Sequence, residues 1–162
     1  ALNLLSEILT GGPSSRLYKS LVDEQRLALD VSAYHSESLD PDLFTINITG
    51  AESVKPSAIE KAFDKEIDRL LAKGVDAKEL DKAKKKLLVG FYRDMETING
   101  KAHLLGSYEI FHGGFQNVFT AADRYKAVTR EDISRVAKRY FVRANRTLGL
   151  HECYLRAYLW RD

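Results

Sequence analysis

At 162 residues and 44% apolar content, the chain has the length of one domain with enough material for a sizeable core. A net charge of +2 with 30% charged residues describes an ordinary polar surface and gives no reason to expect a nucleic-acid binder. No apolar run approaches the about 20 residues of a membrane helix, and the lone Cys153, read as a small half-buried hydrophobe, supplies neither an internal disulfide nor a cysteine-ligated metal site.

The chain opens inside a helical pattern, Ala1-Leu2-Asn3-Leu4-Leu5, and so reads as a fragment. A missing leader then says nothing about compartment. Gly11-Gly12-Pro13 breaks this pattern and opens a short helix: the glycines allow a tight turn and Pro13 fixes the backbone at its start. Ser14 and Ser15 are candidate caps, and Leu17 and Leu21, four apart, give the helix a buried stripe. A Gly-Gly-Pro-Ser-Ser loop could cradle a phosphate, but it lacks the Gly-Lys-Ser/Thr ending of a phosphate loop. The stretch reads as a structural joint.

Two strands follow. Residues 28–34 alternate Leu29/Val31/Ala33 against Asp30/Ser32/Tyr34, and residues 43–50 alternate Phe44/Ile46/Ile48 against Thr45/Asn47/Thr49. A turn at Pro41-Asp42 links them as an antiparallel pair. Pro56 then opens a helix with the stripe Ile59, Phe63, Ile67, Leu70 and Leu71, and Gly74 closes it. Asp76 with Glu79 makes a capping-box start for the next helix, whose face is Leu80, Ala83, Leu87, Phe91 and Met95. Lys82, Lys84, Lys85 and Lys86 crowd on it; such a cluster can bind phosphates or acidic partners, but is ordinarily a solvated face. After a break at residues 97–100 come a helix with Leu104, Leu105, Tyr108 and Phe111, another with Phe115, Val118, Phe119 and Ala122, and a last one capped by Thr129 and Asp132 with the stripe Ile133, Val136, Ala137, Tyr140 and Phe141. Residues 146–150 read as a final strand. Segregated strands and helices predict an α+β fold, a mostly antiparallel sheet with helices packed on one face.

Catalytic constellations are missing. His35, His103, His112 and His151 include no pair at ligand spacing, and neither His-Glu-x-x-His nor its inverse occurs. There is no Gly-x-Ser-x-Gly elbow. Asn47-Ile48-Thr49 and Asn145-Arg146-Thr147 fit glycosylation acceptors, but the match is unspecific and both lie in predicted strands.

Three segments in order nevertheless carry a resemblance. Leu4-Leu5-Ser6-Glu7-Ile8-Leu9 leads into Gly11-Gly12-x-Ser14-Ser15-Arg16-Leu17-Tyr18; then come Gly74-Val75-x-x-x-Glu79-Leu80-x-x-Ala83-Lys84 and Val128-Thr129-x-Glu131-Asp132-Ile133. Together they resemble the second, C-terminal domain of zinc peptidases of the pitrilysin (insulinase) family, over residues 1–150. The resemblance implies a processing-peptidase-like metallohydrolase domain lacking its first strand, with 151–162 as a tail of unknown role. In that family the inverted zinc motif lies in a first domain, and the second closes the opposite wall of a substrate chamber. Some second domains supply an Arg/Tyr pair within Arg-Glu-x-x-Gly-Leu-Ala-Tyr; laid on this chain, those positions fall on Val22 and Leu29. Neither can donate to a developing oxyanion, so the role is lost.

The resemblance therefore implies a non-catalytic half-domain of a zinc metalloendopeptidase, with catalytic and metal residues absent from this chain and zinc held in a domain outside it. Its implied partners are that zinc-bearing N-terminal domain, an Arg/Tyr-bearing partner half and a peptide substrate, with no nucleic acid and no membrane; bacterial periplasm or cytoplasm both suit. The alternative is a structural or interaction domain of an inactive core-type subunit. A sheet edge left unpaired invites association, so an oligomer is expected.

Overall fold

The computed structural model describes residues 1–35, 38–40 and 42–151. Helix α1 (Leu2–Thr10) buries Leu4, Leu5, Ile8 and Leu9, the one-sided spacing that a helix period requires. The short helix after the joint, Tyr18–Glu24, is a π-helix, and Leu17 and Leu21 are fully buried beneath it as expected. Its wide turn is visible in the bond from Gln25 N–H to the Ser20 carbonyl, five residues back.

Strands β1 (Ala28–His35) and β2 (Phe44–Gly50) pair antiparallel, with Val31 opposite Ile48 and Ala33 opposite Ile46. Phe44, Ile46 and Ile48 pack on the helical core while Asn47 and Thr49 face out, the expected register. β1 departs from expectation at Leu29. Ala28 pairs with Gly50 and Asp30 with Thr49, so Leu29 is the extra residue of a bulge. The bulge buries Ala28 instead and leaves Leu29 66% exposed. Pro41, half of the expected turn, lies outside the described residues.

Helix α2 (Pro56–Lys73) starts on Pro56, and its last turn closes where Gly74, at φ 67°, donates to the Leu70 carbonyl. Its inner face adds Ala62 and Glu66 to the expected Ile67 and Leu70. Helix α3 (Ala77–Asp94) opens on the expected capping box: Asp76 accepts from Glu79 N–H and Glu79 from Asp76 N–H. The break after α3 is short, because Thr97 caps α4 (Ile98–Phe111) by accepting from Gly100 N–H.

The helix expected after Gly113-Gly114 is two elements, a 3₁₀ helix over Phe115–Thr120 and α5 over Ala121–Ala127. The tighter 3₁₀ winding aligns every third residue. Val118 and Ala121 are therefore buried, and the expected Phe119 is exposed. Helix α6 (Arg130–Tyr140) has the expected Thr129–Asp132 box and buries Ile133, Val136 and Ala137, while Tyr140 turns outward. Residues 146–150 form no strand, and Leu148 and Leu150 are exposed. An extended segment becomes a strand only where a neighbour pairs with its backbone, and β1 and β2 make up the whole described sheet. Cys153 and the tail 152–162 lie outside the described residues.

The fold is thus α+β, with helices on one face of a small antiparallel sheet. Its main core joins α1, the π-helix, the sheet, α2, the first half of α3, and α6. A second, smaller cluster of Tyr108, Val118 and Ala121, with Phe91 and Leu104, holds α4 and the 3₁₀ helix against the far end of α3.

Candidate functional site

Among the described residues, the joint at Gly11–Tyr18 and what it grips form a dense polar construction. Gly11 follows α1 so closely that a Cβ there would lie 2.4 Å from the Glu7 carbonyl, and Gly12 has φ 105°, so both positions require glycine. Neither serine caps the helix in the expected way. Ser15 Oγ donates back to the Gly12 carbonyl at 2.7 Å, and Ser14 Oγ accepts from Lys82. Tyr18 packs against the main core.

Arg16 is the centre of the joint. Its Nε and Nη2 donate to the two carboxylate oxygens of Glu79 at 2.7 and 2.6 Å, and Nη2 donates also to the Gly74 carbonyl at 2.8 Å. The guanidinium fork matches a carboxylate in this bidentate fashion, which Lys could not reproduce. One side chain thereby ties the joint to the C-terminus of α2 and the first turn of α3. The hydrogen bond to Glu79 raises the Arg16 pKa despite burial. Burial pushes the Glu79 carboxyl up, but bonds from Arg16 and the Asp76 amide outweigh it and hold the carboxyl below its usual range. Among the described residues Arg16 Nη1 is buried and has no hydrogen-bond partner.

The lysine cluster of α3 is a solvated face as expected, with Lys82, Lys85 and Lys86 exposed and Lys84 half-buried, and from it side chains also reach the joint. Lys86 reaches the Gly11 carbonyl and the Glu7 carboxylate, each at 2.6 Å, and Lys84 donates to the Lys126 carbonyl at 2.7 Å. Lys82 meets Ser14, and only Lys85 pairs within its own helix, with Asp81. The shallow concavity of about 500 Å³ beside them, lined by Asp81, Lys82, Lys85, Lys86 and Val89, is wide open to solvent.

Val22 lies in the π-helix, half-buried against the main core, and Leu29 stands out from the β1 bulge. Their side chains carry no hydrogen-bonding atom. The histidines are scattered: His35 at the end of β1, His103 exposed on α4, His112 beside the Tyr108 ring at 4.4 Å, and His151 exposed. Among the described residues no three His, Cys, Asp or Glu side chains converge as a metal site would need. The Arg16–Glu79 pair is the feature sequence reading missed. Both residues sat in the matched segments, but their 63-residue separation gave no sign that they meet.

The family described as Peptidase M16 inactive domain matches residues 1–87. The chain belongs to that family. Zinc protease PqqE of Helicobacter pylori is 28% identical over 141 residues, covering 87% of this chain and 32% of that protein. Mitochondrial cytochrome b-c1 complex subunit 2 of Rattus norvegicus is 24% identical over 148 residues, covering 86% and 32%. The chain thus spans 32% of each of these relatives. Among solved structures, an inactive peptidase domain from Bordetella parapertussis superposes with a TM-score of 0.80 at 28% identity, covering 91% of this chain and 80% of that one. The M16 inactive domain in this chain therefore presents a held joint, with no metal-holding group of His, Cys, Asp or Glu among the described residues.

Proposed function

We propose that this M16 inactive domain serves as the non-catalytic half-domain of a zinc metalloendopeptidase, supporting a zinc-bearing domain and lining the chamber in which a peptide substrate is cut. The observation that carries the reading is the match of residues 1–87 to a family described as inactive. The relative named zinc protease PqqE supports the activity assigned to the parent protein. Among the described residues no three His, Cys, Asp or Glu side chains gather as a metal site would need, which supports assigning the metal and its general base to the other domain. Val22 and Leu29, at the positions where some second domains carry an Arg/Tyr pair, supply no donor to an oxyanion. A partner half then brings that pair. Residues 1–150 are assigned to this domain in part, and 151–162 to a tail.

The similarity to cytochrome b-c1 complex subunit 2 favours a second reading, a structural subunit of a larger assembly. Metal analysis and a quenched-peptide assay, on this chain alone and on the full parent protein with its partner half, separate the two. The first reading expects no tightly held zinc and no cleavage with the chain alone, and chelator-sensitive cleavage with the assembled parent. A parent without zinc or cleavage supports the structural reading. One equivalent of tight zinc and chelator-sensitive cleavage in the isolated chain overturns both.

A further inference from the structure

The turn from α3 into α4 carries a dipeptide found nowhere else in the chain. Of Asn3, Asn47, Asn99, Asn117 and Asn145, only Asn99 precedes a glycine. The others are followed by Leu, Ile, Val or Arg, whose side chains crowd the backbone nitrogen, whereas Gly100 leaves its own bare and flexible. The fold dictates that glycine. A Cβ on Gly100 would collide with the carbonyl oxygen of Asp94, the last residue of α3. Helix α4 can start this close to the end of α3 only without a side chain there. Asn99 itself is exposed.

Such a pair is reactive. When the Gly100 nitrogen attacks Asn99 Cγ, a five-membered cyclic imide forms: the nitrogen gives up its proton, the Cγ–Nδ2 bond breaks, and ammonia leaves with that proton. Water then opens the ring at either carbonyl. One opening yields aspartate with the backbone unchanged. The other yields isoaspartate, in which the chain runs through the former side chain and gains a backbone carbon. In the folded chain the attacking nitrogen is occupied. Gly100 N–H donates to Thr97 Oγ1 at 2.9 Å, the cap that starts α4 at Ile98, and Lys101 N–H closes the same turn on the Thr97 carbonyl at 3.0 Å. Asn99 lies inside that turn, so the cap has to open and the helix end has to fray before Cγ comes within reach. We propose that Asn99 is a site of spontaneous covalent modification, converted to aspartate and isoaspartate, and that the Thr97 cap is its brake.

The two products act on α4 in opposite directions. An aspartate in the first turn complements the positive end of the helix. The extra backbone atom of isoaspartate moves Gly100 N–H off Thr97 and undoes the cap. Helix α4 is held to α3 through Leu104 and Tyr108 in the smaller core, so a loosened first turn weakens that cluster first. The main core takes no residue from α4 and is spared.

Peptide mapping by mass spectrometry, with enzymatic labelling of isoaspartate, follows the full chain during storage at mildly alkaline pH. The expected result is conversion at Asn99 ahead of every other asparagine, about tenfold or more slower in the folded chain than in the chain unfolded by urea. Thr97→Val removes the acceptor and speeds conversion about fivefold, as the loss of an ordinary cap implies. Thr97→Ser keeps the acceptor and the rate. Asn99→Gln, which would need a six-membered ring, abolishes the isoaspartate signal of this peptide. Another asparagine converting first overturns the proposal, as does a signal that persists in Asn99→Gln. So does a folded chain that reacts as fast as the unfolded one. The brake is overturned if Thr97→Val is no faster than wild type, or if Leu21→Ala in the main core speeds conversion equally, since global unfolding would then be the route.

Discussion

Replacing Arg16 by Met keeps an apolar stem in the joint and deletes the fork that grips Glu79 and Gly74. Three charge-assisted bonds are lost, at 2.7, 2.6 and 2.8 Å. Such a bond contributes about 1.5–3 kcal/mol when well shielded, but two effects reduce the total. The Arg16 and Glu79 side chains keep 15% and 30% exposure, so water compensates part of the loss. Glu79 also keeps its bond from Asp76 N–H and is not stranded. The net cost should be about 2 kcal/mol, between an exposed pair and a broken buried one. Glu79→Gln can keep the capping bond through its one carbonyl oxygen, but it loses the charge and one of the two bonds from Arg16, at about 1–2 kcal/mol. Because both substitutions break one interaction, the double variant should fall short of their sum by about 1 kcal/mol. Urea unfolding at constant m-value measures all three.

The same pair predicts a pH dependence. The Glu79 carboxyl is depressed in the folded state. Its contribution is fully present above the unfolded carboxylate value of about 4.3 and is lost as pH falls through the folded one. Wild-type stability should therefore drop on acidification below about pH 5 more steeply than that of Arg16→Met. Coupling near zero, with an Arg16→Met cost within about 0.5 kcal/mol of nothing, would refute the account of the joint.

Leu21→Ala, in the main core, should cost about 3 kcal/mol in the same assay. Leu29→Ala should cost under about 0.5 kcal/mol, because the bulge turns Leu29 outward; a larger loss would contradict the bulge. Gly11→Ala should destabilise the chain, since the new Cβ collides with the Glu7 backbone, whereas Gly106→Ala, in open space on a helix, should stabilise by about 0.5–1 kcal/mol. Asp132, held at a pKa of about 2 by the Thr129 amide, Arg135 and the Thr129 hydroxyl, is depressed in the folded state. Its support of α6 is present above the usual aspartate value and is lost as pH falls toward 2, so the Asp132 carbon chemical shift in an NMR titration should move late.

What the sequence settled by itself is what depends on near neighbours in the chain. The boundaries of α2, α3 and α6 follow from Pro56, Gly74 and the two capping boxes, whose partners lie three residues apart. The inward row of β2 follows from period-two alternation, and the order of motifs led to the family the comparisons show. Tertiary structure decided whatever depended on a distant partner or on local winding. The bulge at Leu29 comes from its pairing with β2. The 3₁₀ winding of residues 115–120 moved burial from Phe119 to Ala121. The lysines of α3 acquired roles only when the joint folded over them. Residues 146–150, read as a strand, stay irregular, and Arg146 pairs with Glu60 and Asp64 on α2. Arg16 and Glu79 look like unrelated surface charges in the chain. The packing of α2 and α3 across the joint brings their side chains together and shields them enough for the bidentate bond to outweigh desolvation.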